Sequence, residues 1–190
     1  MNTKSLSYRA ALFAMNAHAS QVRRYTSEPY HKHLAEVAAL VALVPHSEEQ
    51  IAASWLHDVV EDQPITLNDL QIHFGNDVAR LVEQVTDVSR PGDGNRAVRK
   101  ALDLEHLRRA SPAAQSIKYA DLISNTHSIV THDRKFAGIY LQEKQALLSA
   151  MPDGDPLLRQ LAMRELMRAR ASLMIAITAT NDARLAKEVA

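Results

Sequence analysis

The chain contains no cysteine, only five glycines and no apolar run of the ~20 residues that a membrane-spanning helix needs. Without cysteine, disulfides and thiolate metal sites are excluded, so any metal must be bound by His, Asp or Glu. Lys+Arg and Asp+Glu both number 22, so no net positive charge is available to attract a nucleic acid. The sequence therefore favours a protein that acts on neither membranes nor nucleic acids, and its nine histidines become the residues of interest.

At 190 residues, with 46% hydrophobic and 23% charged residues, the chain has the size and balance of one globular domain. The first residues only partly resemble a secretory signal, because Asn16 and His18 interrupt the apolar region. We therefore expect a cytoplasmic protein.

Apolar residues recur at helical spacing along most of the chain, and alternating patterns are scarce. The sequence therefore predicts an all-α fold, a bundle of about eight to ten helices. Proline, glycine and serine signals place the breaks. The predicted helices cover residues 5–22, 31–44, 47–62, 68–74, 76–88, 95–109, 113–130, 134–150 and 156–188.

The most informative segment is His57-Asp58-Val59-Val60-Glu61-Asp62. On a continuous helix, Glu61 lies one turn above His57 and Asp58 on the same face. Carboxylates beside apolar residues are costly unless a cation neutralises them, which favours a metal. A His-Asp pair alone is uninformative, since His132-Asp133 repeats it, but Glu and Asp at these further spacings are expected only about 0.002 times by chance.

One His-Asp pair needs further ligands to hold a metal. His33, at a predicted helix start, and Asp121, within a predicted helix, are the candidates. Imidazole and carboxylate ligands together suit Mn²⁺, Fe²⁺ or Zn²⁺. Asp121 also has a simpler interpretation, an ion pair with Lys118 one turn away.

These residues resemble the HD-domain metal-dependent phosphohydrolases, and in particular the alarmone hydrolase domain of the Rel/SpoT proteins and the stand-alone small alarmone hydrolases. The resemblance covers about residues 5 to 150. It rests on the segments His18-x-x-Gln21-x-Arg23-Arg24, Pro29-Tyr30-x-x-His33, Leu56-His57-Asp58-x-Val60-Glu61-Asp62, Phe74-Gly75, Leu81-Val82-x-x-Val85-Thr86 and Lys118-x-Ala120-Asp121-x-x-x-Asn125.

The resemblance implies a function and a role for each matching residue. The reaction is hydrolysis of a ribose 3′-diphosphate by a metal-activated water, which releases pyrophosphate from ppGpp or pppGpp and belongs to the stringent response. The implied roles are metal binding of one Mn²⁺ by His33, His57, Asp58 and Asp121, activation of water by Glu61 and Asp62, and substrate binding by Arg23, Arg24, Arg96, Asn125 and Tyr140.

Some of these substrate residues have a simpler interpretation. Arg96 lies in a basic run with Arg99 and Lys100 that is also typical of a solvated helix face, and Arg23 and Arg24 would suit the solvated end of the first helix. Tyr140 is the weakest match to the family.

The chain departs from the family pattern near the substrate. Leu122 and Ser124 replace a lysine and an aromatic residue that commonly follow the last metal aspartate, and Leu34 replaces a proline. An adenine alarmone, ppApp, or NADPH is therefore an alternative substrate. Two alternative functions follow: another HD phosphohydrolase, such as an NADPH 2′-phosphatase or a nucleotidase, and a non-catalytic nucleotide-binding or antitoxin-like module.

Residues 151–190 lie beyond the hydrolase-like domain, which we assign to residues 1–150. They predict one long helix with a broad apolar stripe. Such a stripe must be buried, either on its own domain or against a partner subunit in a homodimer.

Overall fold

The computed structural model describes the backbone of residues 4–188 and the side chains of residues 4–126 and 129–179. Within these limits the chain forms ten α-helices and has no β-strand, which confirms the predicted all-α fold. A short 3-10 turn, Pro91–Asp93, precedes α7. The helices are α1 (Leu6–Ala17), α2 (His31–Val41), α3 (Glu48–Leu56), α4 (Val59–Asp62), α5 (Leu67–Phe74), α6 (Asn76–Val85), α7 (Arg96–Arg108), α8 (Pro112–His132), α9 (Arg134–Ala150) and α10 (Pro156–Glu188).

Side-chain caps explain where several helices begin. The hydroxyl of Ser47 accepts a hydrogen bond from the backbone N–H of Gln50, and Ser111 caps α8 in the same way. Thr66 and Asp69 form a reciprocal capping box at the start of α5. These side chains satisfy N–H groups that have no partner within a helix.

The first predicted helix is too long. We expected a helix to residue 22, but α1 ends at Ala17, where the N–H of His18 bonds back to the carbonyls of Ala14 and Asn16. Beyond this point the chain forms a hairpin-like loop with a bridge between Val22 and Pro29. Val22 is exposed, so no core contact favours continuing the helix.

The predicted helix over 47–62 is wrong in a more important way, because it is two helices. His57 ends α3 and Asp58 begins α4, so Glu61 does not lie above them on one continuous helix face. The backbone of Asp58 stays in the right-handed helical region but is displaced from ideal helix values, with φ −98° and ψ −3°. The two residues of the motif therefore lie at a bend between helices.

The core lies between α2, α3 and α8. The helix α3 packs on α1, α2 and α6, while α8 packs on α2, α9 and α10. Leu34, Leu56, Val59, Ile117 and Tyr119 are fully buried between these helices. Because α2, the α3–α4 bend and α8 meet here, side chains far apart in sequence reach a common centre.

The long helix α10 lies on α8 and α9. One side of it is buried in that contact, whereas Met167, Met174 and Ile175 on the other side are exposed. The buried side chains are Leu158, Ala162, Leu166, Ala169 and Leu173. No described helix has both the length and the apolar character that crossing a bilayer requires.

Candidate metal centre and nucleotide cleft

Four side chains from three parts of the chain meet at the centre of the bundle. His33, His57 and Asp58 place ligand atoms within 4.8 Å of one another. Nε2 of His33 lies 3.3 Å from Oδ2 of Asp58, and Nε2 of His57 lies 3.1 Å from the same oxygen. Oδ1 of Asp121 is 3.4 Å from Nε2 of His33 and 3.8 Å from Nε2 of His57.

These separations fit ligands of one metal ion. Bonds of about 2.0–2.2 Å at angles between octahedral and tetrahedral place neighbouring ligand atoms about 2.8–3.6 Å apart. All of the measured separations except the longest, between His57 and Asp121, fall in that range. The set of two imidazoles and two carboxylates, with no sulfur, suits a divalent first-row metal.

The hydrogen bonds of the two histidines leave Nε2 free to bind a metal. Nδ1 of His57 donates to the carbonyl of Ser54 at 2.9 Å. The hydroxyl of Ser124 donates its one proton to Glu36 at 2.6 Å, so it must accept the proton on Nδ1 of His33, 2.8 Å away. In the neutral rings, Nε2 of both histidines then carries a lone pair.

Both Nε2 atoms are buried and, among the described residues, neither makes a hydrogen bond, although carboxylate oxygens lie 3.1–3.8 Å away. A buried polar atom without a partner is costly, and a metal ion is the partner that this donor set suits. The residues present therefore fit a divalent metal ion, for which His33, His57 and Asp58 form the tightest group.

The charges of the centre also attract a cation. Burial opposes ionisation of Asp58, but His57 and His33 hold the pKa of its carboxyl well below the ordinary value. Burial likewise opposes ionisation of Asp121, and Lys118 and the two histidines keep its pKa low. Burial opposes charging of His57, yet Asp58 and Asp121 raise its pKa to about 10, so a proton and a metal ion compete for the lone pair on Nε2. Two buried carboxylates thus favour positive charge at this point.

Each carboxylate of the cluster also has a partner outside it, at the oxygen that faces the histidines in Asp58 and at both oxygens in Asp121. Tyr30 donates its hydroxyl proton to Oδ2 of Asp58 at 2.6 Å. Lys118 lies 2.9 Å from Oδ2 of Asp121, and Asn125 donates to Oδ1 of that residue. The Lys118–Asp121 ion pair that the sequence offered as a simpler interpretation therefore exists beside the cluster rather than in place of it.

The two acidic residues that follow the motif separate in the structure. Glu61 lines the cavity that also contains Asp58 and Asp121, and it accepts a hydrogen bond from the backbone N–H of Asp87 at 2.6 Å. Desolvation raises the pKa of Glu61 to about 7, against the attraction of Lys118. Asp62 is not among the residues that line this cavity, and it accepts a hydrogen bond from Gln21 at 2.7 Å.

Two adjoining cavities extend from the cluster. The larger, about 690 Å³, contains the carboxylates of Asp58, Glu61 and Asp121. The smaller, about 270 Å³, is lined by arginines and aromatic rings of the 18–30 loop and of α9. The two cavities share six residues, so they form one cleft, which we call the nucleotide cleft; the shared residues are Arg24, Tyr30, Asn125, Phe136, Tyr140 and Lys144.

The predicted substrate residues lie along the nucleotide cleft. Arg23 lines the smaller cavity and donates to the carbonyl of Ser124 at 3.4 Å. Arg24, Asn125 and Tyr140 line both cavities. Arg96 lines the larger one, where its Nε and one terminal nitrogen each donate to Glu143 at 2.8 Å and its guanidinium lies over the ring of Phe136.

Several residues of the cleft escaped the sequence prediction. Tyr30 and Lys118 belong to the motif segments that contain His33 and Asp121. Their nearness in sequence to those two candidates is the feature that could have identified them as site residues. Lys144 lines both cavities and belongs to no motif. Glu36 bonds to Ser124 from a position 88 residues away, so no local pattern pointed to it.

A helical bundle that gathers histidines and aspartates beside an arginine-rich cleft can hold a metal ion next to a phosphorylated ligand. The sequence matches the HD domain family over residues 10–146, which is most of the chain. The chain therefore belongs to the HD domain family, and its homologues include SpoT-like ppGpp hydrolases.

Two curated relatives show how far the likeness extends. The guanosine-3′,5′-bis(diphosphate) 3′-pyrophosphohydrolase MESH1 of Homo sapiens is 35% identical over 123 residues, 63% of this chain and 67% of the relative. A probable guanosine-3′,5′-bis(diphosphate) 3′-pyrophosphohydrolase of Synechocystis is 45% identical over 82 residues, 43% of this chain. That match spans only 11% of the Synechocystis protein, so most of that relative has no counterpart here.

Solved structures share the fold. A structure described as a metazoan ortholog of SpoT that hydrolyses ppGpp superposes with a TM-score of 0.78 at 25% identity, covering 90% of this chain and 98% of the other. The protein lmo0812 of Listeria monocytogenes gives a TM-score of 0.62 at 25% identity, covering 76% and 99%. The similarity therefore extends over nearly the whole of two compact relatives.

Proposed function

We propose that this protein hydrolyses the 3′-diphosphate of an alarmone nucleotide, ppGpp, pppGpp or ppApp, and releases pyrophosphate in a Mn²⁺-dependent reaction. The observation that carries the proposal is the pair of buried Nε2 atoms that make no hydrogen bond and face the carboxylates of Asp58 and Asp121, both of which line the nucleotide cleft. The names of the relatives in human and Synechocystis support the same reaction class.

In this proposal His33, His57, Asp58 and Asp121 hold the metal ion. A bound divalent cation lowers the pKa of water and neutralises charge on a phosphate oxygen. We assign Mn²⁺ because the mixed imidazole and carboxylate set suits it; Fe²⁺ and Zn²⁺ also suit such a set.

Glu61 is the residue we assign to accept the proton of the attacking water. A general base is most effective when its pKa lies near the working pH, and desolvation raises the pKa of Glu61 to about 7. The N–H of Asp87 fixes one carboxylate oxygen and leaves the other for the proton. Asp62 does not line the cavity of the cluster, so its role in orienting the water stays a prediction from the resemblance; Gln21 donates a hydrogen bond to its carboxylate.

The remaining assignments concern substrate binding. Arg23 and Arg24 are proposed to contact the nucleobase, and Asn125 the ribose and phosphate near Asp121. Tyr140 offers a ring to the nucleotide where the two cavities meet. Arg96 is the proposed phosphate contact, for which its guanidinium would exchange Glu143 for a phosphate oxygen.

The test is an activity assay on the purified protein with Mn²⁺ and a panel of ppGpp, pppGpp, ppApp, NADPH and dNTPs, with products identified by mass. We expect pyrophosphate from at least one of the three alarmones. Phosphate released from NADPH alone would instead assign a 2′-phosphatase, and tight nucleotide binding with no product would assign a non-catalytic module.

The variant Asp58→Asn tests whether the activity depends on the metal cluster. Asp58→Asn removes a negatively charged ligand and should lower pyrophosphate release by at least about 10²-fold, while the helical circular dichroism signal is retained. Asp77→Asn, an exposed aspartate of α6 paired only with Arg80, is the matched control and should be fully active. An Asp58→Asn protein with wild-type activity would contradict the mechanism.

The biological setting also belongs to the proposal. Hydrolysis of ppGpp implies a part in the stringent response and a cytoplasmic location. A homodimer, formed through the exposed stripe of α10, stays a prediction that light scattering of the purified protein would test.

A further inference from the structure

Lys144 stands where the two cavities of the nucleotide cleft meet. It is one helical turn beyond Tyr140 on α9, and its ammonium group lies 4.8 Å from the centre of the Tyr140 ring. Lys144 lines the smaller cavity together with Arg23 and the larger one together with Asp58 and Asp121. A ligand that extends from the arginines to the metal cluster must pass this residue.

The other cations on the metal side of the cleft are already paired. Arg96 pairs with Glu143, Lys118 with Asp121, and Lys100 with both Asp87 and Asp103. Among the described residues, no carboxylate lies within 4.0 Å of Lys144, and the same is true of Arg23 and Arg24. Arg24 also lines the larger cavity but is exposed, so Lys144 is the partly buried cation of that cavity that remains available to an anion.

The surroundings make this lack of a partner costly. Burial lowers the pKa of Lys144 to about 8, and repulsion from Lys118 and Lys100 adds to the effect although Asp121 opposes it. A desolvated ammonium group without a counter-ion is unfavourable, so an anion bound beside it gains free energy by relieving that cost.

We propose that Lys144 binds the 3′-diphosphate group of the nucleotide, between the metal cluster and Tyr140. This inference rests on the proposed function for the identity of the ligand. A compact ammonium group recognises phosphate oxygens as a point charge and offers no planar donor pattern for reading a base. Lys144 lines the same cavity as Asp58 and Asp121, so it lies beside the part of the cleft where the 3′-diphosphate would be cleaved.

The experiment measures binding of inorganic pyrophosphate by equilibrium dialysis against protein loaded with one equivalent of Mn²⁺. Loss of one charge-assisted contact to phosphate should weaken binding in Lys144→Gln by about 10- to 100-fold. Lys144→Arg keeps the charge and should stay within about threefold of wild type. The kcat/KM for the hydrolysed alarmone should fall in parallel with pyrophosphate affinity.

Lys135→Gln is the matched control, because Lys135 belongs to the same helix, is exposed and lines neither cavity. It should bind pyrophosphate as wild type does. The Mn²⁺ affinity of every variant is measured separately and should be unchanged. Lys144→Met, which keeps the aliphatic stem over Tyr140, replaces Lys144→Gln if the latter fails to fold by circular dichroism.

Equal pyrophosphate affinity in wild type and Lys144→Gln, or in wild type and Lys144→Met, would overturn the inference. So would a loss of affinity matched by Lys135→Gln, since that would reflect the net charge of α9 alone. Failure of the proposed function has a different signature, the absence of pyrophosphate release from every alarmone by the wild-type protein.

Discussion

At the scale of single residues, the metal cluster depends on neighbours that set the protonation of its histidines. The chain from Nδ1 of His33 through the Ser124 hydroxyl to the Glu36 carboxylate runs in one direction only, since the hydroxyl has one proton to give. This arrangement holds the His33 ring in place and makes its Nε2 more basic. Ser124 stands where the family commonly has an aromatic residue. In this chain the serine hydroxyl links His33 to Glu36, a contact that an aromatic hydrocarbon ring could not make.

Replacing Ser124 should weaken metal binding. Ser124→Ala removes the acceptor of the His33 proton and leaves Glu36 without its donor, so we expect Mn²⁺ affinity to fall by about 10- to 100-fold. Titration of metal-free protein with Mn²⁺, followed by electron paramagnetic resonance of the free ion, measures it. Ser149→Ala, on an exposed serine of α9, is the control and should bind as wild type does. Unchanged affinity in Ser124→Ala would show that this hydrogen bond does not support the metal.

The site residues that could be identified from the sequence are those that belong to short motifs. His57 and Asp58 are adjacent, and His33 and Asp121 stand in short recognisable segments, so the sequence was enough to name all four as candidates. Glu36 and Lys144 were not predictable, because each acquires its role from a partner on another helix or from a cavity. A charged side chain in a helical pattern otherwise indicates only a solvated face.

At the scale of helices, the main surprise is the bend between α3 and α4. The apolar period runs without interruption from residue 47 to residue 62, so periodicity alone predicts one helix. In the structure, the carbonyl of Ser54 accepts the Nδ1 proton of His57, which lies at the end of α3. This hydrogen bond orients the His57 ring towards the metal cluster at the point where α3 ends. The spacing of apolar residues carries no information about such a bond, so it could not predict the bend.

Two glycines near the ends of α9 and α10 give a matched test of packing. A Cβ on Gly154 would lie 2.4 Å from Cε2 of Tyr119 and 3.0 Å from the backbone nitrogen of Ser116. Tyr119 is fully buried and its hydroxyl donates to the carbonyl of Met151, so the ring has little room to move. Gly154→Ala should therefore lower the free energy of unfolding by about 1–3 kcal/mol.

Gly138→Ala should have the opposite effect. Gly138 lies within α9, is exposed, and a Cβ there would meet nothing within 4 Å. Alanine in an exposed helix interior stabilises by about 0.5–1 kcal/mol relative to glycine. Urea unfolding of the two variants beside wild type measures both changes. Equal effects of the two substitutions would contradict the contact of Gly154 with Tyr119.

At the scale of the whole molecule, the order and number of helices followed from composition and spacing, whereas their mutual packing did not. Helix caps such as Ser47 and Ser111 are local, so most helix starts were predictable. That α8 runs through the centre and carries Asp121 to α2 depends on contacts between distant segments. The same dependence explains why α10 can be assigned to the surface of α8 and α9 only from the structure.

The metal centre joins α2, the α3–α4 bend and α8, so metal binding should stabilise the whole fold. An ion that binds only the folded chain adds about 2.7 kcal/mol at a concentration 100 times its dissociation constant. For a chain of this size 1 kcal/mol corresponds to about 2–4 °C, so saturating Mn²⁺ should raise the melting temperature by roughly 5–11 °C above that in EDTA. Scanning calorimetry under both conditions measures the difference.

Asp58→Asn should melt at nearly the same temperature with and without Mn²⁺, because it lacks one ligand of the cluster, while Asp77→Asn should retain the wild-type shift. If the melting temperature of the wild-type protein is the same with and without Mn²⁺, then the four side chains of the metal centre do not bind the ion. The proposed hydrolysis would then have no structural basis.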